Sequence, residues 1–240
     1  MLLLGYDIGS SSIKASIVDS ESGQQIAFGQ SPEKELAIDS PQKGWAEQYP
    51  DLWWEHLKKV TAMLLKTEAV KKEHIGAIGI SYQMHGLVLV DENQNVLRPS
   101  IIWCDGRAVQ NGKEIFREMG EKYCLSHLLN SPGNFTASKL KWVREEEPHT
   151  FRNAFKFMLP GDYIAMKLSV EVSTTISGLS EAILWDYKKR GLADEVLKVS
   201  GIPENLVPET FTNFGEHGKL SRQAASELGL KEGIALTYRA

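Results

Sequence analysis

The chain has 240 residues, enough for one large α/β domain or two small ones with a sizeable core, so no disulfide scaffold is required. Its 27 Lys and Arg against 31 Asp and Glu leave a net charge of −4, which removes the electrostatic case for nucleic acid or an anionic membrane and favours a small neutral partner. Cys104 and Cys124 stand singly, no apolar run approaches the ~20 residues of a membrane span, and no basic segment precedes Asp7, so a cytoplasmic protein is expected.

Residues 2–8, 13–18 and 24–28 alternate apolar and polar side chains, with turn residues between them, and the spacing predicts an antiparallel meander. A polar loop over 31–48 leads to Pro50 and Asp51 at a helix start, after which Trp53, Leu57, Val60 and Leu64 recur at helical spacing. Residues 74–82 and 87–90 are apolar runs too short for helices and read as strands, with 101–103 as a shorter third. The chain then turns helical after Arg107 as far as Lys122, and a second amphipathic helix is predicted over 136–146, ended by Pro148. A strand at 155–159, a helix at 160–168, a Ser/Thr-rich stretch at 173–180 and two or three helices as far as Leu228 follow. Residues 231–240 pass from a turn into what reads as the beginning of a central strand. With no repeat or linker, residues 1–240 are expected to form one domain, meander first and mixed α/β afterwards.

Asp7-Ile8-Gly9-Ser10-Ser11-Ser12 lies at the tip of the first predicted hairpin. Gly9 would let the backbone approach a phosphate, Ser10, Ser11 and Ser12 would donate to it, and Asp7 could hold Mg²⁺ directly or through water. No Gly-Lys-Ser/Thr follows, so this is not a P-loop, and Gly-Ser-Ser-Ser also suits an ordinary solvated turn. Gln83-Met84-His85-Gly86 leaves the 74–82 run. Gln83 and His85 both donate and accept, which suits a polyhydroxy ligand, although a satisfied core-edge histidine looks the same.

Trp103-Cys104-Asp105-Gly106-Arg107 offers a carboxylate for two hydroxyls, an indole face for sugar carbons and an arginine to fix Asp105. Its bland alternative is a surface ion pair beside a core tryptophan. Trp53, Trp54, Trp142 and Trp185 read as packing, and the remaining histidines show no metal-ligand spacing.

In this order the motifs resemble the FGGY carbohydrate kinases. Asp7 to Ser12 looks like the family's first phosphate hairpin, with Lys14 following in the next strand. Gln83-Met84-His85-Gly86 is similar to the sugar-contacting segment of xylulokinases, and Ile102 to Arg107 resembles the family's Trp-x-Asp-x-Arg element. Residues 135–146 resemble the first family signature, with Asn134 where Gly or an aromatic is usual. Leu159-Pro160-Gly161-Asp162-Tyr163 resembles the block that follows, and Gly44 to Gln48 the loop before the first helix.

The resemblance implies an α/β, ribonuclease-H-like core of the actin, hexokinase and Hsp70 kind, with a mixed sheet and flanking helices. It implies ATP and Mg²⁺ as cofactors and transfer of the γ-phosphoryl group to a ketose, D-xylulose to D-xylulose 5-phosphate being the parent reaction. A kinase for sedoheptulose or ribulose, or a non-catalytic sugar-binding module, is the alternative. By resemblance Asp7 supports catalysis and the metal, Gly9, Ser10, Ser11, Ser12 and Lys14 face the phosphates, and Gln83, Met84, His85, Trp103 and Asp105 hold the sugar. The family's catalytic Asp is expected just after the strand begun at 234–238, beyond Ala240, and the adenine-binding domain outside the chain as well, so the isolated chain is expected to be inactive. A homodimer stays open. A glycoside hydrolase built on Asp7 and Asp105 is a further reading, which a hairpin geometry at Gly9 to Ser12 would remove.

Overall fold

The structure, a computed structural model, describes residues 1–240. Strands β1 (Leu2–Ile8), β2 (Ile13–Asp19) and β3 (Gln25–Ser31) form the expected antiparallel meander, with Ile8 opposite Ile13 at the first turn. β3 runs three residues past the predicted end because Gly29 suits close packing: a Cβ there would stand 3.0 Å from Met63 Sδ. A two-residue strand β4 (Glu47–Gln48) precedes helix α1 (Pro50–Leu64), which opens on a proline whose missing N–H costs nothing at that position. Trp53, Leu57, Val60 and Leu64 are buried on its sheet face. β5 (Ile75–Tyr82) then returns parallel to β1.

β6 (Val88–Val90) and β7 (Ser100–Ile101) follow, and then α2 (Val109–Met119). The helix predicted as far as Lys122 stops at Gly120, whose φ of 81° takes the chain out of helical geometry. It restarts as α3 (Glu121–Tyr123) and runs into a π-helical turn at Cys124–Leu128. α4 (Thr136–Glu146) matches expectation, but Pro148 begins α5 (Pro148–Asn153) as well as ending α4. β8 (Lys156–Met158) and α6 (Pro160–Ser169) come next. The Ser/Thr-rich stretch divides into β9 (Ser173–Thr175) and α7 (Ile176–Glu181), and the Thr175 hydroxyl caps the helix by accepting from the Gly178 N–H. The remaining elements are β10 (Trp185–Asp186), β11 (Gly191–Leu192), α8 (Asp194–Ser200), β12 (Glu209–Phe211), α9 (Arg222–Leu228) and β13 (Ala235–Arg239).

The main sheet has the order β13-β5-β1-β2-β3, with β13 parallel to β5. β13 was expected as a central strand; it lies at the edge, bonded along its length to β5. One hydrophobic core fills the space between this sheet and α1, α6 and α9, and a second joins α2, α4, α7 and α8. The run Leu87 to Val90 divides them: Val88 and Val90 face the first core, Leu87 and Leu89 the second. A strand buried on both faces has no polar alternation, which explains its uninterrupted apolar sequence. Both cysteines are free, and no helix is long and apolar enough to cross a membrane.

Candidate active site

Because β1 and β5 are parallel neighbours, their C-terminal ends open at the same edge of the sheet, where ligand crevices form in α/β folds. The Gln83 N–H donates to the Ile8 carbonyl at 2.8 Å, setting the loop after β5 beside the first hairpin. That hairpin closes through the Gly9 N–H on the Ser12 carbonyl, 3.1 Å, and a Cβ on Gly9 would lie 2.9 Å from the same oxygen. The N–H groups of Ser10, Ser11 and Ser12 donate to no protein acceptor. The Trp103 indole N–H donates to Ser10 Oγ at 3.1 Å and the Gln48 amide to the Ser10 carbonyl at 2.7 Å, so the third motif meets the first. Asp7, half exposed, lies laterally between Lys14 on β2 and Ser81 on β5, with Lys14 Nζ 3.8 Å away. An exposed pair of that length contributes little stability, so the carboxylate remains available.

The loop after β5 is held from behind. His85 has a φ of 60°, a left-handed conformation unusual for a residue with a side chain. Lys139 Nζ donates to its carbonyl at 2.6 Å, although Lys139 is fully buried on α4. Gly86 lies against α6 so closely that a Cβ would stand 2.5 Å from Pro160 Cγ. The His85 ring meets Phe135 edge to face at 4.2 Å, and its Nδ1 lies 3.8 Å from Glu181 Oε1 at the end of α7.

Burial, reinforced by the Lys139 charge, pulls the His85 pKa down to about 4. Burial also brings Lys139 down to about 8, and burial with the Asp162 carboxylate lifts Glu181 to about 7. The imidazole is therefore neutral at pH 7. The Gln83 side-chain nitrogen and oxygen and His85 Nδ1 are buried without a hydrogen-bond partner, beside Met84 and Trp103, which are 52% and 48% exposed.

Asp105 departs from the expected role. It is fully buried, and its oxygens accept from the Ala46 N–H at 2.6 Å, the Arg107 N–H at 2.8 Å and the Arg107 guanidinium at 2.7 to 3.0 Å. Arg107 stacks over Trp45 at 3.7 Å and pairs with Glu47, which also holds Arg98. With every direction of the carboxylate used, Asp105 braces the turn that carries Trp103 and has no room for sugar hydroxyls. Its burial, together with the hairpin at Gly9 to Ser12, also removes the two-carboxylate hydrolase reading. Gln83, Met84, His85, Trp103 and the hairpin are brought to one edge; Asp105 stands behind it. Lys139 and Phe135 were visible only as members of a signature motif, and Glu181 was missed. Its one signal is a lone carboxylate after the uncharged run 172–180.

A family model for the N-terminal domain of the FGGY family of carbohydrate kinases matches residues 2–238. The chain belongs to the FGGY carbohydrate kinases. This FGGY domain is similar to the xylulose kinase of Escherichia coli (strain K12), at 30% identity over 229 residues, 95% of the chain and 46% of the relative. The Klebsiella pneumoniae xylulose kinase is 31% identical over 98% of the chain and 47% of that protein. The solved xylulose kinase from Rhodospirillum rubrum superposes with a TM-score of 0.91 at 27% identity, over 100% of this chain and 49% of the other. Plasmodium falciparum glycerol kinase with ADP, at 18% identity and a TM-score of 0.86, shares the fold. The ribonuclease-H-like architecture of the actin and hexokinase kind thus holds for this FGGY domain. The chain spans about half the length of the curated relatives it matches.

Proposed function

We propose that this chain holds the sugar, and part of the phosphate chain of ATP, in the phosphorylation of a ketose, D-xylulose to D-xylulose 5-phosphate in the parent reaction. The observation that carries the reading is the pair of buried, unpartnered amide atoms of Gln83, in the same segment as His85 and half-exposed Met84 and on the same edge as half-exposed Trp103. Each such atom costs ~1–3 kcal/mol while unpaired, and a polyol supplies the missing partners. A neutral imidazole suits an uncharged hydroxyl, and the indole and thioether suit the carbon skeleton. The free N–H groups of Ser10, Ser11 and Ser12 suit phosphate oxygens, with Lys14 adding positive charge nearby.

Asp7 fits Mg²⁺ in the manner that ion prefers, one protein carboxylate with the remaining ligands from water and phosphate. No cluster of three acidic, His or Cys side chains offers a full cage. When bound, Mg²⁺ neutralises charge on the transferring group. The chain's own part is positioning: Gln83 and His85 orient the hydroxyls and the hairpin orients the phosphates. The family resemblance implies a proton acceptor just after β13.

Calorimetric titration of the chain with D-xylulose tests this, with D-ribulose, sedoheptulose and glycerol as competitors for the assignment. His85→Ala should weaken D-xylulose binding by ~1–3 kcal/mol, the worth of a hydrogen bond in a desolvated site. Equal affinity in wild type and variant sinks the assignment of His85.

A further inference from the structure

The two ring nitrogens of His85 are held in different surroundings. The ring has little freedom: its own backbone is pinned at φ 60° by Lys139 Nζ, 2.6 Å from the carbonyl, and its edge meets Phe135 at 4.2 Å. In that pose Nδ1 points inward, buried and without a hydrogen bond, towards Glu181 Oε1 at 3.8 Å. The Glu181 carboxylate forms no hydrogen bond with any group of the protein, and His85 Nδ1 is the ring nitrogen it approaches. A carboxylate at that distance and on that side favours a proton on Nδ1. A neutral imidazole that carries its proton on one nitrogen presents a bare acceptor on the other, and the hydrogen bond at the first nitrogen decides which is which.

We propose that Glu181 is a positioning residue of the sugar site: its carboxylate keeps the His85 proton on Nδ1 and leaves Nε2 as the acceptor for a sugar hydroxyl. The proposal rests on the ketose-binding reading above and deepens it. It makes His85 selective for a ligand with a hydroxyl, a donor, at that place, so that a deoxy sugar would leave Nε2 unpaired.

The hold depends on ionised Glu181. The charged and titratable groups facing this pocket are Lys139 from α4, Tyr82 from β5, Asp162 from α6, Arg239 from β13, and Cys104, Asp105 and Arg107 acting through Lys139. Among them Lys139 favours the ionised carboxylate, whereas burial and Asp162 favour the acid, which places the change near pH 7. Above that pH the ionised carboxylate attracts the Nδ1 proton across 3.8 Å; below it the neutral acid loses that attraction.

The experiment is a long-range proton–nitrogen correlation spectrum of the ¹⁵N-labelled chain at pH 8, with the His85 ring identified among the six histidines by its absence in His85→Gln. The expected result is a protonated Nδ1 in wild type. In Glu181→Ala the ring reverts to the Nε2–H form that free histidine favours. Glu181 ends α7 with its side chain 25% exposed, so the alanine variant keeps the fold, which its thermal unfolding midpoint checks.

In parallel, calorimetry should give about tenfold weaker D-xylulose binding in Glu181→Ala and no further loss when His85→Ala is added, since the two act as one unit. A wild-type ring with the proton on Nε2 overturns the proposal. So does a tautomer unchanged in Glu181→Ala, which would leave the carboxylate without the role. Failure of wild type to bind D-xylulose removes the ketose reading alone, because the spectrum decides the tautomer without any ligand.

Discussion

Replacing Lys139 by methionine separates the stability of the fold from the shape of the proposed sugar site. The ammonium is fully buried, and its pKa falls from 10.5 to about 8, chiefly through desolvation. At ~1.36 kcal/mol per pH unit, keeping Lys139 charged costs the fold about 3 kcal/mol; that cost is present in full below pH 8 and fades as pH rises towards 10.5. Methionine removes the cost but leaves the His85 carbonyl without its donor, a loss of ~1.5–3 kcal/mol for a charge-assisted bond. The two nearly cancel. Urea unfolding at pH 7 should therefore find Lys139→Met within about 2 kcal/mol of wild type.

The proposed sugar site should behave differently. Without its pin, His85 relaxes from φ 60° to an ordinary conformation, worth ~1–2 kcal/mol, which ligand binding must then reverse. D-xylulose affinity measured by calorimetry should fall about tenfold. A stability loss beyond about 4 kcal/mol would show the ammonium to be a strong net stabiliser, and an unchanged affinity would show that His85 needs no pin; either result refutes the reasoning.

Two further outcomes follow from the buried charges. Asp105→Asn should destabilise the chain by ~3 kcal/mol in urea unfolding, the low end for breaking a buried pair because Glu47 still holds Arg107; a variant as stable as wild type would contradict the bracing role. Between pH 4.5 and 6.5 His85 and Glu181 act in opposite senses. The folded His85, at about 4 against 6.5 when free, binds fewer protons than the unfolded chain, so its contribution raises stability as pH rises. The folded Glu181, at about 7 against 4.5, binds more, so its contribution falls over 4.5 to 7. His85→Gln should expose that fall, making stability decline with pH more steeply than in wild type; parallel profiles of unfolding midpoint against pH would refute the assignment.

The meander and α1 were legible because alternation and helical spacing are local properties of the chain, and the meeting of the motifs at one sheet edge was legible because motifs mark where strands end. Asp105 was misread for a physical reason: its carboxylate is saturated partly by the N–H of Ala46, 59 positions away, and spacing says nothing of partners at that distance. The same holds for Lys139, whose partner is a backbone carbonyl 54 positions away, and backbone carbonyls leave no mark in a sequence. Glu181 escaped notice because one acidic residue at the end of a short helix looks solvated until the burial of its surroundings is known. β13 was read as a central strand; it is the last strand of the sheet, and Leu236 and Arg239 are buried there by α6 and by residues 214–220, which bridge to its other side.

The close approach of Gly86 to Pro160 has a consequence for how this pocket can change over evolutionary time. A proline ring cannot rotate aside, and Gly161, the next residue, lies against the Tyr82 ring with equally little space, so two glycines seat the end of β5 on the start of α6. Side-chain substitutions on that surface meet backbone and rings before they meet ligand. The seat of the 83–86 loop on α6 is therefore cast, and a change in what this edge accepts has to come from side chains other than those at Gly86 and Gly161.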